Sequence, residues 1–407
     1  MKLTVIGAMR SCTDCNKESW EEIKNENMEG ILEDLKRFSG AEGGICYMSK
    51  PFFDSYVTDP EKAFNRFGTV ASTGHHSISG HAQVAMLLES VPKIIAMFLN
   101  NLHDYETSEK SGRYTVMTGN SEIEVELYEK WMEKLKDAIY KEYEDKIDER
   151  TRDKLAKENA RYFLSVFTPT TFGYTASLRQ WNYIIDWCDK YCKNEDIPDN
   201  YFFNTLKSYF TQLRAQLYDL LYTDELRDFK GIKGLDMINW NVRNTTEFQF
   251  GKMYNIGYKA SFAEYAQAQR HRTLSYTMQF DGVSKEFYVP KIVESSGLAD
   301  EWKDDMTKVA QYIPTGTLIY AEESGNIRDF YLKSMERNCG RAQLEIMNQN
   351  LATSRLFYEN IHLFNKEDRE FMMHFYKTDG EPKMKGQLLT CKEPCIWGCE
   401  DAKTRLI

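Results

Sequence analysis

Two short apolar runs, at residues 82–90 and 249–258, are each followed by the start of a short helix, and this repeated order constrains the fold more than any other feature. After the first run, Ser90-Val91-Pro92 sets a capping serine ahead of a proline suited to a first helical turn. After the second, Ser261-Phe262-Ala263-Glu264 has capping-box spacing. Longer amphipathic helices are expected at residues 20–37, 121–143, 151–166, 201–222 and 337–357, where apolar and aromatic stripes recur at helical spacing. A charged stretch containing Gly231 and Gly234, residues 223–235, is the expected connector. The division is therefore 1–225 and 226–407, two related halves of mixed α and β character.

Composition bounds what these halves can do. With 407 residues, 42% of them hydrophobic and 14% aromatic, the chain supports more than one sizeable core. A formal net charge of −10 argues against binding a nucleic-acid backbone over a broad surface. No apolar run reaches the roughly 20 residues of a membrane span, and residues 1–7 are too short for a signal peptide, so a cytoplasmic address is expected. The nine cysteines include Cys12, Cys15, Cys391, Cys395 and Cys399. Reduced thiols are the expectation, because the total is odd and no export signal precedes them. A four-thiolate zinc site would need both chain ends to meet around an unusual x-x-x spacing, so no metal is assigned.

The chemistry concentrates at Arg270-His271-Arg272, with Ser275 three positions on. Two guanidiniums flanking an imidazole at a helix end form a compact cationic cluster suited to bidentate capture of phosphates or of an anionic ring. In an acidic chain the anion must be held by such local arginines. Pairing with surface carboxylates at a helix C-terminus is the structural alternative.

Arg270-His271-Arg272-x-x-Ser275 resembles the signature of the flavin-dependent thymidylate synthases. There it is followed by an Asn, a Glu and a Ser-x-Arg-Tyr element, but here Thr277 stands at the Asn position and Phe280 where the Ser belongs. The lost tail is present earlier, as Glu109-Lys110-Ser111-Gly112-Arg113-Tyr114, while Asn101-Leu102-His103 holds the Arg-His-Arg position of that first copy. His75 to His81 resembles the family's upstream histidine element, with Gly80 in place of a Glu. Ala160-Arg161 ahead of Thr168-Pro169 resembles its Ala-Arg before a Leu-Pro, and the second copy offers Ala310-Gln311 before Ile313-Pro314. Asn326-Ile327-Arg328, Arg337 and Ala342-Gln343-Leu344-Glu345-Ile346 match further pieces in order, whereas the first copy has Ser177-Leu178-Arg179 and Cys188.

The losses are complementary. The resemblance therefore implies a tandem duplication: two synthase-like lobes, each an antiparallel sheet with packed helices in an α/β (α+β type) fold, sharing one composite site. It implies Glu109, Ser111, Gly112, Arg113, Arg161 and Gln267 at the nucleotide, with Ser111, the Gly112 amide, Arg113 and Arg161 on its phosphate. Arg337, Arg270 and His75 are implied at the reacting pyrimidine. Arg270, His271, Arg272, Ser275, Asn326 and Arg328 are implied at the flavin. The implied reaction carries a one-carbon unit from methylenetetrahydrofolate to C5 of dUMP, with FAD as cofactor and NADPH as its reductant, in a homodimer that rebuilds a pseudo-tetramer. A hydroxymethyl product, a different pyrimidine nucleotide, or a non-catalytic nucleotide or flavin binder are the alternatives.

Overall fold

The computed structural model describes residues 1–8, 28–45, 59–73, 76–102, 104–113, 115, 117–226, 237–240, 251–389, 391 and 395–407. It divides into two compact units, Met1–Lys110 with Pro169–Leu235, and Ser111–Thr168 with Asp236–Ile407. In chain order the first contributes β1 (Lys2–Ala8), α1 (Met28–Glu42), α2 (Pro60–Ser72), β2 (Gln83–Pro92), α3 (Lys93–Asn100) and β3 (Tyr105–Glu109). The chain then enters the second unit for α4 (Glu122–Tyr143) and α5 (Glu149–Ala160), and returns to the first for β4 (Pro169–Ser177), α6 (Leu178–Lys193) and α7 (Tyr201–Leu221). The rest of the second unit runs β5 (Ile238–Asn239), β6 (Met253–Ser261), α8 (Phe262–Ala268), β7 (Ser275–Gln279), α9 (Lys291–Ser295), α10 (Ala299–Val309), β8 (Leu318–Asn326), α11 (Ile327–Arg337), α12 (Leu344–Glu359), α13 (Lys366–Met373), α14 (Lys385–Leu388) and α15 (Gly398–Thr404).

The sheets are ordered β1-β2-β4-β3 and β5-β7-β8-β6, antiparallel throughout except for β5 beside β7. One order of elements therefore recurs: strand, short helix, strand, two helices, a central strand and a helix. In the first unit Val84, Met86 and Leu88 alternate inward on β2, and Phe172, Tyr174 and Ala176 on β4, the period-two burial of a sheet covered on one face. Helices α3, α6 and α7 meet in an aromatic cluster, Phe98 lying 5.3 Å from Trp187 and 5.0 Å from Phe210.

The segment Ser111–Thr168, which falls inside the 1–225 half drawn from sequence, packs in the second unit. Burial of large aromatics explains this placement. Trp131 of α4 stacks on Phe163 at 5.9 Å, meets Trp302 edge-on at 4.7 Å, and donates its indole N–H to Asp305 at 2.9 Å.

Several expected elements differ in their bounds. Residues 337–357 are not one helix: Arg337 is the last residue of α11 and α12 starts at Leu344, with Gly340 tightly enclosed between them. Ser90 caps no helix. It has φ 54 within an irregular step of β2, and Pro92 precedes α3 instead. The helix expected at 151–166 ends at Ala160 and passes into a short 3-10 turn, Arg161–Phe163. Of the helix expected at 20–37, residues 20–27 lie outside the described residues, as does nearly all of the expected connector after Leu226.

Candidate functional site

Ser261 ends β6 and caps α8, accepting from the Glu264 N–H at 3.0 Å. The capping box is completed from elsewhere, since Glu345 of α12 accepts the Ser261 backbone N–H at 2.9 Å and its hydroxyl at 2.7 Å. Glu264 is thereby left inside, 0% exposed, with neither carboxyl oxygen hydrogen-bonded among the described residues. Burial pushes its carboxyl up to about 8, a rise reinforced by Glu345 and Glu323 and opposed by Lys333 and Arg337.

That shift has a stability consequence. A carboxyl raised in the folded state holds its proton where the unfolded chain has released it, so stability falls as pH rises from about 4.5 to about 8. Over that window the loss is on the order of 4 kcal/mol. The variant E264Q is expected to flatten the slope and to melt above wild type at pH 8; parallel pH profiles of the melting temperature would contradict this.

Short α8 ends in the turn that carries Arg270 and His271, with the His271 N–H donating to Ala268 O at 3.0 Å. Arg337, the last residue of α11, donates from Nε to His271 Nε2 at 2.8 Å and from Nη2 to Gln267 O at 3.2 Å. A guanidinium only donates, so His271 Nε2 must accept. Burial, with Arg337 and Lys333 beside it, pushes His271 down to about 2, which keeps the imidazole neutral.

From Gln267 the bonding continues. Its amide donates to Gln343 Oε1, which also accepts from Arg161 Nη2 at 2.5 Å, while Gln343 Nε2 donates to Tyr162 Oη. Tyr162 in turn donates to Glu345 at 2.6 Å. Arg161 Nε donates to Glu158 O at 3.1 Å, and the Glu158 carboxylate receives Arg113 Nε at 2.7 Å. Arg113 also donates to Arg341 O at 3.1 Å, and its own N–H donates to Ser111 Oγ at 3.3 Å. Gly112 lies beside the Arg161 stem: a Cβ there would stand 3.7 Å from Arg161 Cδ, an ordinary contact. One network thus joins Ser111, Arg113, Arg161, Gln267, His271 and Arg337 inside one unit.

Its electrostatics are lopsided. Arg113 has a carboxylate partner, whereas among the described residues Arg161 and Arg337 donate to amide, imidazole and carbonyl acceptors. Burial lowers both of these arginines from the usual guanidinium range. Glu158 and Glu345 oppose that lowering at Arg161, and Glu264 and Glu336 oppose it at Arg337.

The other expected site residues are distributed differently. Arg270 is half-buried and Arg272 exposed on the turn after α8, and Ser275 opens β7. Asn326 caps α11 by accepting the Arg328 N–H at 2.9 Å. Arg328 is half-exposed over the Phe371 ring at 4.5 Å, with Glu367 at 3.7 Å. Nine residues of helix put Arg328 about 14 Å along the axis from Arg337. Glu109 ends β3 in the first unit, paired with Lys93 at 2.5 Å. His75 lies outside the described residues, as do Cys12 and Cys15.

The departures from the family signature have structural occupations. The Thr277 hydroxyl donates to its cross-strand neighbour Glu322 at 2.7 Å, and Phe280 is core, edge-on to Phe262 at 5.1 Å. Sequence reasoning missed Glu158 and Tyr162 as site members and took Gln343 and Glu345 only as landmarks. The available signal for Glu158 was its place three residues before Arg161 on a helix.

The fold is thus a mixed α/β architecture of small sheets. Residues 4–197, slightly under half of the chain, match the family model of the thymidylate synthase complementing protein. The Arg-His-Arg triplet and the Asn326 to Ile346 pieces lie beyond the matched stretch. Similar solved structures include a flavin-dependent thymidylate synthase from Helicobacter pylori complexed with FAD and dUMP, 13% identical, covering 56% of this chain and 98% of that one, with a TM-score of 0.32. Another is a UMP/dUMP methylase from Streptomyces cacaoi bound with 5-Br dUMP, 11% identical, covering 54% of this chain and 90% of that one, with a TM-score of 0.31. Comparison with curated proteins gives no match. No helix among the described residues is long and apolar enough to cross a membrane.

Proposed function

We propose that this chain is an enzyme that transfers a one-carbon unit from methylenetetrahydrofolate to C5 of a pyrimidine deoxynucleoside monophosphate, converting dUMP to dTMP with FAD and NADPH. The family match supports flavin-dependent methylation of a pyrimidine nucleotide. The observation that carries the reading furthest is that one network joins Arg113, Arg161 and Arg337, and that among the described residues Arg161 and Arg337 hydrogen-bond to neutral acceptors.

A nucleotide's phosphate, close to a dianion at neutral pH, supplies a charged acceptor for these donors. Ser111, the Gly112 amide, Arg113 and Arg161 receive that phosphate. Arg337, oriented by neutral His271 and the Gln267 carbonyl, faces the pyrimidine and stabilises charge developing on its carbonyl oxygens. Gln267 keeps a buried amide oxygen without a hydrogen bond among the described residues, an acceptor suited to a pyrimidine N–H. Arg270 stands at the same turn; Glu109 and His75 are assigned to nucleotide recognition by sequence motif.

For the flavin, the donor set fits a diphosphate, since Arg272 is exposed, Arg328 is half-exposed in a loose ion pair, and Asn326 uses only its oxygen in capping. These residues, with Arg270, His271 and Ser275, would hold FAD, which when bound supplies the hydride that makes the transferred carbon a methyl group. No protein nucleophile is assigned. The repeated order of elements supports a duplicated chain with lobes within 1–225 and 226–407, its copies dividing these tasks, and a homodimer is the proposed assembly.

The purified protein is expected to be yellow, with the absorbance of oxidised flavin. R113A should weaken dUMP binding about 10- to 100-fold, the worth of one lost charged hydrogen bond, at near-normal flavin content. R328A should do the reverse; equal loss of both ligands in both variants would count against the divided roles.

A further inference from the structure

Residues 395–407 pack on the loop between α11 and α12, and the network described above gives them no task. Arg405, 4% exposed, donates from Nη1 to Gly340 O and from Nη2 to Ala342 O, the latter at 2.5 Å. The residue between those two carbonyls is Arg341, whose own carbonyl receives Arg113. The same loop begins at Arg337 and ends at Gln343, so the bonds of Arg337, the Arg113 contact to Arg341 O and the bonds of Gln343 all pass through it.

The loop is held closely. A Cβ added at Gly340 would stand 2.8 Å from Cys395 Sγ and 3.3 Å from both Ala402 Cβ and Trp397 Cδ1. Trp397 packs edge-on to Tyr143 of α4 at 5.0 Å, and Tyr143 Oη accepts the Leu406 N–H at 2.7 Å. The segment is thereby fastened to the helix at one side and to the loop at the other. Glu158 and Arg113 are also among the groups that act electrostatically on Arg405.

We propose that Arg405 is a positioning residue for the anion site, a clamp on residues 338–343 that sets where Arg113, Arg337 and Gln343 stand relative to one another. Arg405 touches no substrate in this arrangement and acts through the loop's backbone. A fork of parallel donors suits two carbonyls on one strand, a task a single ammonium performs less well. The proposal rests on the reading of this network as the nucleotide site.

The test uses the full chain, with dUMP binding measured by calorimetry alongside flavin content and melting temperature. R405M should weaken dUMP binding at least about tenfold, the loss of about 1.4 kcal/mol, while flavin content stays near wild type. R405Q, which keeps an amide donor, should recover part of the loss, and the KM for dUMP should rise more than kcat falls. If R405M does not fold, G340A decides: it keeps Arg405 but drives a methyl group into Cys395, and it too should weaken dUMP. Wild-type affinity in R405M or in G340A overturns the clamp, as does joint loss of flavin and dUMP that R405Q fails to restore. A wild-type chain that binds no dUMP overturns the nucleotide reading first, and the clamp with it.

Discussion

Replacing Arg337 by alanine is expected to lower turnover about 10²- to 10³-fold, the usual cost of removing one preorganised donor from a developing negative charge. Arg337 is held by two bonds, one to a neutral imidazole and one to a backbone carbonyl, neither of which neutralises it. On the proposed reading its charge faces the pyrimidine, and its direction is set by those two bonds. R337K should recover only a fraction, because an ammonium lacks the planar fork. Flavin content should change little in either variant. Turnover of R337A within threefold of wild type, on roughly the measurement's own scatter, would remove Arg337 from the reacting centre.

The largest effect on stability is expected at Lys333. Its ammonium is 1% exposed and bonded to Glu323, which is 0% exposed and also receives Tyr254 Oη at 2.7 Å. Breaking such a pair by removing one member costs about 3–5 kcal/mol, because the remaining charge stays buried. K333M should therefore lower the melting temperature by on the order of 10 °C. Lys333 also opposes the upward shift of Glu264, so its loss should strengthen the pH dependence of stability. The double variant K333M/E323Q should regain much of the loss, since it leaves no unpaired charge. A K333M melting temperature equal to wild type would mean that the pair carries no net stability.

What the sequence conveyed and what it hid divide along physical lines. Helices α4 and α7 were readable almost to the residue because their stripes run uninterrupted through residues 121–143 and 201–222. The break at 338–343 was hidden because Arg337 and the residues after Leu344 keep helical spacing, while the interruption depends on Gly340 meeting a segment more than fifty residues later. Ser261 was readable as a cap from local spacing alone. That Glu345 would take the place of Glu264 in the box was not, since it is a tertiary contact. The entry of Ser111–Thr168 into the second unit has the same origin, resting on Trp131, Phe163 and Trp302, which are far apart in sequence.

The candidate site shows the same division. Ser111, Arg113, Arg161, Gln267, His271 and Arg337 were marked by motif, and one network holds them. Arg328 and Asn326 were marked by the same kind of motif but sit at the opposite end of α11, where they cap the helix and cover Phe371. Glu158, Tyr162 and Arg405 belong to no motif. Their part follows from which neutral or charged partner each arginine finds, and that is decided by packing.

The most direct measurement is the mass of the nucleotide recovered after the flavin-loaded protein is incubated with dUMP, methylenetetrahydrofolate and NADPH. The expected product carries one added methylene unit and co-migrates with dTMP. Recovery of unchanged dUMP from a protein that binds both flavin and dUMP, or of a hydroxymethyl product, would contradict the proposed reaction.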